Sequence, residues 1–261
     1  MTFFHALLLG TLQGLTEFLP VSSSGHLVLA ESLLRIPLSA HTLLSFDVLL
    51  HAATMVALLA CYARTWWGLL SSVWTGDRGR RRVLAALLIA TLPAAAAGVF
   101  LEDIIADALR SSVSVGLSFL ATALILIMGE RCGKKQSVAA LPGSKAFLVG
   151  CAQACALVPG LSRSGLTISM GRCTGLSRSE ALDFSFLLAA PIIAGAVILA
   201  LPDIGAQADM LTFPVLAAGF CASLVSSIIA ILFLRRWVRA HSFTWFALYL
   251  IPAGITTIAF L

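Results

Sequence analysis

The chain has 261 residues, 59% of them hydrophobic and 11% charged, with a formal net charge of +5 and a mean hydropathy of +1.00. Soluble domains carry about 25% charged residues, so an ordinary soluble enzyme is excluded, and the continuous apolar runs exclude the short alternating strands of a β-barrel. The length allows one membrane domain, residues 1–261, and the basic residues cluster in short loops, which is a topology signal rather than a nucleic-acid footprint.

The N-terminal MTFFHALLLGTLQG has no Lys or Arg ahead of its apolar stretch, so it reads as part of the fold and not as a secretion signal. Residues 2–35 hold two apolar arms around a polar centre at 20–24. Arms of about 15 residues make roughly 22 Å of helix, short of a hydrocarbon core about 30 Å thick. The spacing predicts a re-entrant helical hairpin, with Pro20 and Gly25 suited to the break. Within it lies QGLTEFLPVSSSGHL (13–27), where a carboxylate, three serines and a histidine sit at membrane depth. Ionisable groups there are costly and mark a functional site.

Residues 43–63 form a full span carrying Asp47 and His51, which share a helix face at i,i+4 and could bond each other. The loop after it holds Arg64, Arg78, Arg80, Arg81 and Arg82 and is therefore cytoplasmic, the arginine run acting as a solvated topology determinant. Residues 83–101 return outward to Glu102, Asp103 and Asp107, and 113–129 go inward to Arg131, Lys134 and Lys135. Residues 146–176 again show two short apolar arms, here around 159–165. A span at 183–201 leads to the acidic loop PDIGAQAD, 212–233 returns to Arg235, Arg236 and Arg239, and 243–260 exits. Of six cysteines only Cys151 and Cys155 are close in sequence, and with no CxxC pair all six read as buried free thiols.

Shifting the chain by 140 residues brings Gln13 onto Gln153, SSSG (22–25) onto SRSG (162–165) and Phe46 onto Phe186. The first copy's span (repeat 2–63) ends beside arginines and the second's (repeat 146–203) beside acids, so the two run in opposite directions. The expected fold is thus all-α and polytopic, an inverted-topology repeat with two re-entrant hairpins whose polar tips face each other near the midplane.

Those tips supply Glu17, Ser22, Ser23, Ser24, His26, Ser162, Arg163, Ser164 and Thr167. Arginine forks onto phosphate, hydroxyls and helix-end amides donate to phosphate oxygens, histidine moves protons near neutral pH, and a carboxylate holds a bridging cation. Together they are parts for phosphoryl transfer from a membrane-embedded ester. Simpler roles stand beside these. The hydroxyls of Ser22, Ser24 and Thr167 could bond the preceding helical turn, Arg163 could pair with Glu17 as a lock, and Asp47 and His51 could support the site or only the structure.

At these motifs, with FDVLLHAATM (46–55), PGLSRSG (159–165) and EALDFSFLLAAP (180–191), the sequence resembles the bacterial undecaprenyl-diphosphatases, also called bacitracin-resistance proteins, over nearly its whole length. The resemblance implies an inner-membrane enzyme that hydrolyses undecaprenyl diphosphate with Mg²⁺ or Ca²⁺, for recycling of the cell-wall lipid carrier and bacitracin resistance; the external orientation of the first hairpin points to a site open to the outer side. It implies Glu17 as essential acid and cation ligand, Ser23 as motif serine, His26 as the histidine, and Arg163 as the phosphate-binding arginine flanked by Ser162 and Ser164. One departure is Gln13, where some members have a second glutamate; an amide can bond a ligand oxygen but cannot act as a base. The expected mechanism makes Ser23 the nucleophile or the orienter of water, with His26 activating it or protonating the leaving group. A second lipid-phosphatase class needs His and Asp at 169 and 173, where this chain has Ser169 and Cys173. A polyprenyl-phosphate flippase using the same site is the alternative from another class. The oligomeric state, a homodimer included, is left open.

Overall fold

The computed structural model describes residues 1–109, 111–133, 136–207 and 211–260, without the side chains of 101–109 and 201–207. Lys134 and Lys135, and the acidic side chains of Glu102, Asp103, Asp107, Asp203 and Asp209, lie outside that description. The described residues form α1 (Phe3–Phe18), α2 (Ser23–Leu34), α3 (Ala40–Cys61), α4 (Ala63–Thr75), α5 (Arg78–Leu109), α6 (Ser112–Cys132), α7 (Gly143–Cys155), α8 (Arg163–Cys173), α9 (Arg178–Gln207), α10 (Phe213–Trp237) and α11 (Thr244–Phe260).

Five of these, within α3, α5, α6, α9 and α10, are long and apolar enough to cross a bilayer, and α11 is a shorter apolar helix. The protein is an all-α, multi-pass membrane protein. Its outer surface exposes Leu88, Leu92, Phe100, Leu124 and Ile229 among many others, a surface that fits lipid and not water. Because lipid tails are as apolar as leucine, close packing must hold such helices together. Small residues provide it. Gly10 and Gly14 let α1 lie directly on the backbone of α10 at Gly219 and Ser223, Gly150 does the same for α7 on α5 at Ala90, and Gly116 and Gly254 face each other's carbonyl oxygens between α6 and α11. The packing is reciprocal: the first-half α1 rests on the second-half α10, and the second-half α7 rests on the first-half α5.

The pairs α1–α2 and α7–α8 are broken as expected, at 19–22 and 156–162. Gly25 is not the break. It sits in the first turn of α2, where a Cβ would meet the Phe119 ring at 2.5 Å and the Gly160 Cα at 3.1 Å. The turn instead uses Ser22, which holds φ +71, a left-handed conformation that only surrounding structure makes tolerable for a serine. The other tip turns at Gly160, φ +88. A Cβ there would lie 2.8 Å from the Ser118 Cβ and 2.9 Å from the Val115 Cα. Gly160→Ala is therefore expected to destabilise the protein by about 1–3 kcal/mol, seen as a lower unfolding temperature in detergent; an unchanged temperature would mean the tip relaxes freely.

Two expectations need correction. The basic stretch read as a loop contains α4, whose last carbonyls, Ser72 and Val73, accept from the Arg81 guanidinium at 2.8 Å each, so Arg81 is a helix cap and not merely a solvated charge. The cysteines are not all buried free thiols: Cys132 and Cys173, 41 residues apart, form a disulfide where α6 and α8 end side by side, and Cys155 and Cys221 are exposed. Beside that disulfide, Glu130 accepts from Arg178 at 2.9 Å and Ser242 at 2.6 Å and faces Arg172 at 3.8 Å, joining α6, α8, α9 and the entry to α11.

Candidate active site

Two helix N-termini, of α2 and α8, open onto the junction between the broken pairs. Their caps match. Ser22 Oγ accepts from the Gly25 amide at 3.3 Å, and Ser162 Oγ, 140 residues on, accepts from the Gly165 amide at 3.1 Å. The tips are tied to each other, since Ser164 Oγ donates to the Leu19 carbonyl at 2.9 Å and the Gly160 amide donates to Ser24 Oγ at 3.5 Å. Both first turns present backbone N–H groups, which favour an anion.

Glu17, at the end of α1, is the hub. Its side chain is 6% exposed. Oε1 accepts from Arg163 Nη2 at 2.7 Å, and Oε2 accepts from Ser23 Oγ at 2.6 Å and from Gln13 Nε2 at 3.0 Å. His51 Nε2 lies 3.5 Å from the same oxygen. The His51 ring is aimed from behind, its Nδ1–H donating to the Asp47 backbone carbonyl at 2.7 Å. The i,i+4 bond expected between Asp47 and His51 thus runs to the main chain, because a ring at i reaches the carbonyl of i−4 on its own helix. Asp47 itself is buried. Arg163 also donates to the Ser185 carbonyl on α9, at 3.3 Å.

His26 is oriented differently. Nδ1–H donates to the Ser22 carbonyl at 2.7 Å, so in the neutral ring Nε2 is the acceptor, and Tyr249 Oη–H donates to it at 2.7 Å. The ring stacks on Tyr249 and lies tilted against Phe119. Both nitrogens are spent on the tip and on α11, and the ring borders an apolar cavity of about 390 Å³ between α2, α6 and α11.

Seven of the motif side chains therefore divide by task. Gln13, Ser23 and Arg163 converge on Glu17, whereas Ser22 and Ser162 cap helices, Ser164 pins one tip to the other, and Thr167 bonds the Arg163 carbonyl at 2.8 Å and Ser185 Oγ at 2.7 Å. Ser24 meets the opposite tip.

A sequence-family model described as bacitracin resistance protein BacA matches residues 6–256. The chain belongs to this family. Among its relatives are an undecaprenyl-diphosphatase of Elusimicrobium minutum, 38% identical over 259 residues covering 99% of this chain and 98% of that one. Another, from Trichlorobacter lovleyi, is 40% identical over 271 residues, covering 100% and 98%. A third, from Rubrobacter xylanophilus, is 42% identical over 257 residues, covering 94% and 93%.

The BacA motif side chains can be tested for a cation. Among the described residues no group of three or more His, Cys, Asp or Glu could hold a metal alone. Yet the Gln13 amide oxygen is buried with no hydrogen-bond partner, on the amide whose nitrogen donates to Glu17. A carboxylate with phosphate oxygens still to come offers the oxygen-only surroundings a hard cation takes.

Three residues around this BacA site were not singled out in the sequence, although Ser185 lies within EALDFSFLLAAP. Thr122 Oγ1 accepts from the Ser162 amide at 3.2 Å, Ser185 backs Thr167 and Arg163, and Tyr249 holds His26 from 223 residues away.

Proposed function

We propose that this BacA-family chain hydrolyses undecaprenyl diphosphate to undecaprenyl phosphate and inorganic phosphate. It is a phosphatase acting on a lipid substrate, in cell-wall carrier recycling and bacitracin resistance. The observation that carries the site reading is the convergence of Glu17, Ser23 and Arg163, from two different broken helix pairs, at the N-termini of α2 and α8.

Arg163 and Glu17 neutralise each other across the junction at 2.7 Å. A diphosphate carries more charge than one carboxylate and draws the guanidinium to itself, leaving Glu17 free to act as base. Ser23 Oγ attacks the terminal phosphorus as its proton passes to Glu17. The Oγ–P bond forms, the bond from phosphorus to the bridging oxygen breaks, and undecaprenyl phosphate leaves with the electron pair. Water then attacks the phosphorus, the Oγ–P bond breaks as Glu17 returns the proton to Oγ, and both water protons leave on the inorganic phosphate. Arg163 and the helix N-termini stabilise charge on the transferred group. Mg²⁺ or Ca²⁺ would be held by the Glu17 oxygen that Arg163 releases and would supply positive charge to the diphosphate, while the other oxygen, which faces Ser23, takes its proton. His51 steadies Glu17. His26 fixes the Ser22 turn, and with it the aim of Ser23.

That role for His26 has a test. Tyr249→Phe removes the donor to Nε2 and is expected to lower phosphate release about three- to tenfold; an unchanged rate would show that Tyr249 does not support His26.

The reciprocal packing and the matched caps of Ser22 and Ser162 support an inverted repeat of 2–63 against 146–203 within one membrane domain, with α1–α2 and α7–α8 as re-entrant hairpins. The arginines at 64–82 and at 235–239 support a cytoplasmic side for those ends, hence an inner-membrane enzyme whose first hairpin enters, and whose site opens, from outside. The relatives lend the flippase reading no support. The deciding experiment supplies undecaprenyl diphosphate to purified protein in detergent. Phosphate release that a chelator lowers supports the enzyme; binding without turnover would refute it.

A further inference from the structure

The helix α4 is unexplained by the site. It joins two membrane spans, α3 and α5, through single-residue and Gly76 (φ +76) turns, so both its ends are held at the membrane boundary. Thirteen residues make about 20 Å of helix, too short to cross. Gly68, Leu69 and Ser72 are buried. The opposite face exposes Trp67 (75%), Leu70 (49%) and Trp74 (81%), at 67, 70 and 74 on one stripe.

Residues 64–82 hold five arginines against one aspartate, Asp77. Arg81 caps α4, but Arg64 and Arg80 line a cavity of about 420 Å³ with Thr65, Leu69 and Val83. Gly68 makes room for this: a Cβ there would stand 2.8 Å from Arg80 Nη1, so the guanidinium lies against the helix backbone. Arg80 Nε faces Asp77 at 3.4 Å, and among the described residues no carboxylate pairs with Arg64. Tryptophan is enriched at the headgroup level, and basic residues there attract anionic lipids. The occupant must therefore offer a phosphate beside acyl chains.

We propose that α4 lies in the membrane surface, with Trp67, Leu70 and Trp74 among the acyl chains, and that the cavity between Arg64 and Arg80 binds the phosphate of an anionic phospholipid in that leaflet. The site is separate from the Glu17 junction and does not rest on the phosphatase reading.

Native mass spectrometry of the full-length protein in detergent, titrated with phosphatidylglycerol or phosphatidylcholine, tests this. The wild type should retain one phosphatidylglycerol more tightly than phosphatidylcholine. Arg64→Gln with Arg80→Gln should weaken phosphatidylglycerol about fivefold per charge, roughly thirtyfold together. Arg64→Lys with Arg80→Lys should keep most of the preference, and Arg239→Gln, an exposed arginine elsewhere, should change nothing. The glutamine variant should unfold at the wild-type temperature and release phosphate from undecaprenyl diphosphate at the wild-type rate. Equal binding of the two lipids by wild type, or undiminished phosphatidylglycerol binding by the glutamine variant, would overturn the proposal. Displacement of phosphatidylglycerol by millimolar inorganic phosphate would assign the cavity to free phosphate and overturn it as well.

Discussion

Arg163→Ala is expected to lower phosphate release from undecaprenyl diphosphate by about 10³-fold or more, the scale of losing an arginine that neutralises a transferring phosphoryl group. It should also destabilise the protein by about 3 kcal/mol, because the buried Glu17 carboxylate loses its cationic partner. Those effects can be separated. In the double variant Glu17→Gln with Arg163→Gln, two neutral amides replace the ion pair at 2.7 Å, and the unfolding temperature should recover most of the loss. Activity should not recover. If the pair were only a lock between the broken helices, the double variant would regain both.

Ser23→Ala is the second large effect. The hydroxyl donates to Glu17 at 2.6 Å and Ser23 is only half-buried, so its removal should change the unfolding temperature little. Activity should fall on the order of 10⁴-fold or more, as when a nucleophile is removed and only binding and charge stabilisation remain. His26→Ala should be milder than Ser23→Ala, because His26 acts on the Ser22 turn and not on the Ser23 proton. Steady-state phosphate release with matched protein amounts checks both; a His26 variant as inactive as the Ser23 variant would return histidine to the proton path.

Much of this was legible because membrane chains leave few choices. Apolar length located α3, α6, α10 and α11 closely, while α5 (Arg78–Leu109) and α9 (Arg178–Gln207) run well past the spans 83–101 and 183–201; the polar centres at 20–24 and 159–165 marked the breaks. Glu17 and Arg163 stood out since a bilayer tolerates neither without a partner. What could not be read depended on direction. His26 follows Ser23 by three residues, which on a helix suggests a shared face, but the ring bonds the Ser22 carbonyl four residues back on its own helix and reaches out to Tyr249. The helix α4 was hidden by the arginines that flank it, Arg64 at its start and the run from Arg78 to Arg82 beyond its end, which mark a cytoplasmic end whatever the backbone does. The Cys132–Cys173 pair, like the Thr122 contact to Ser162, joins elements about 40 residues apart with no local pattern.

Turnover depends on Ser23 receiving the phosphoryl group while Glu17 takes its proton. The direct measurement is a rapid acid quench of the protein with undecaprenyl diphosphate radiolabelled in the terminal phosphate, followed by peptide mapping. Label should appear on the peptide carrying Ser23 within a single turnover, and be lost from it in Glu17→Gln. An unlabelled Ser23 peptide during active turnover, with substantial phosphate release by Ser23→Ala, would contradict it.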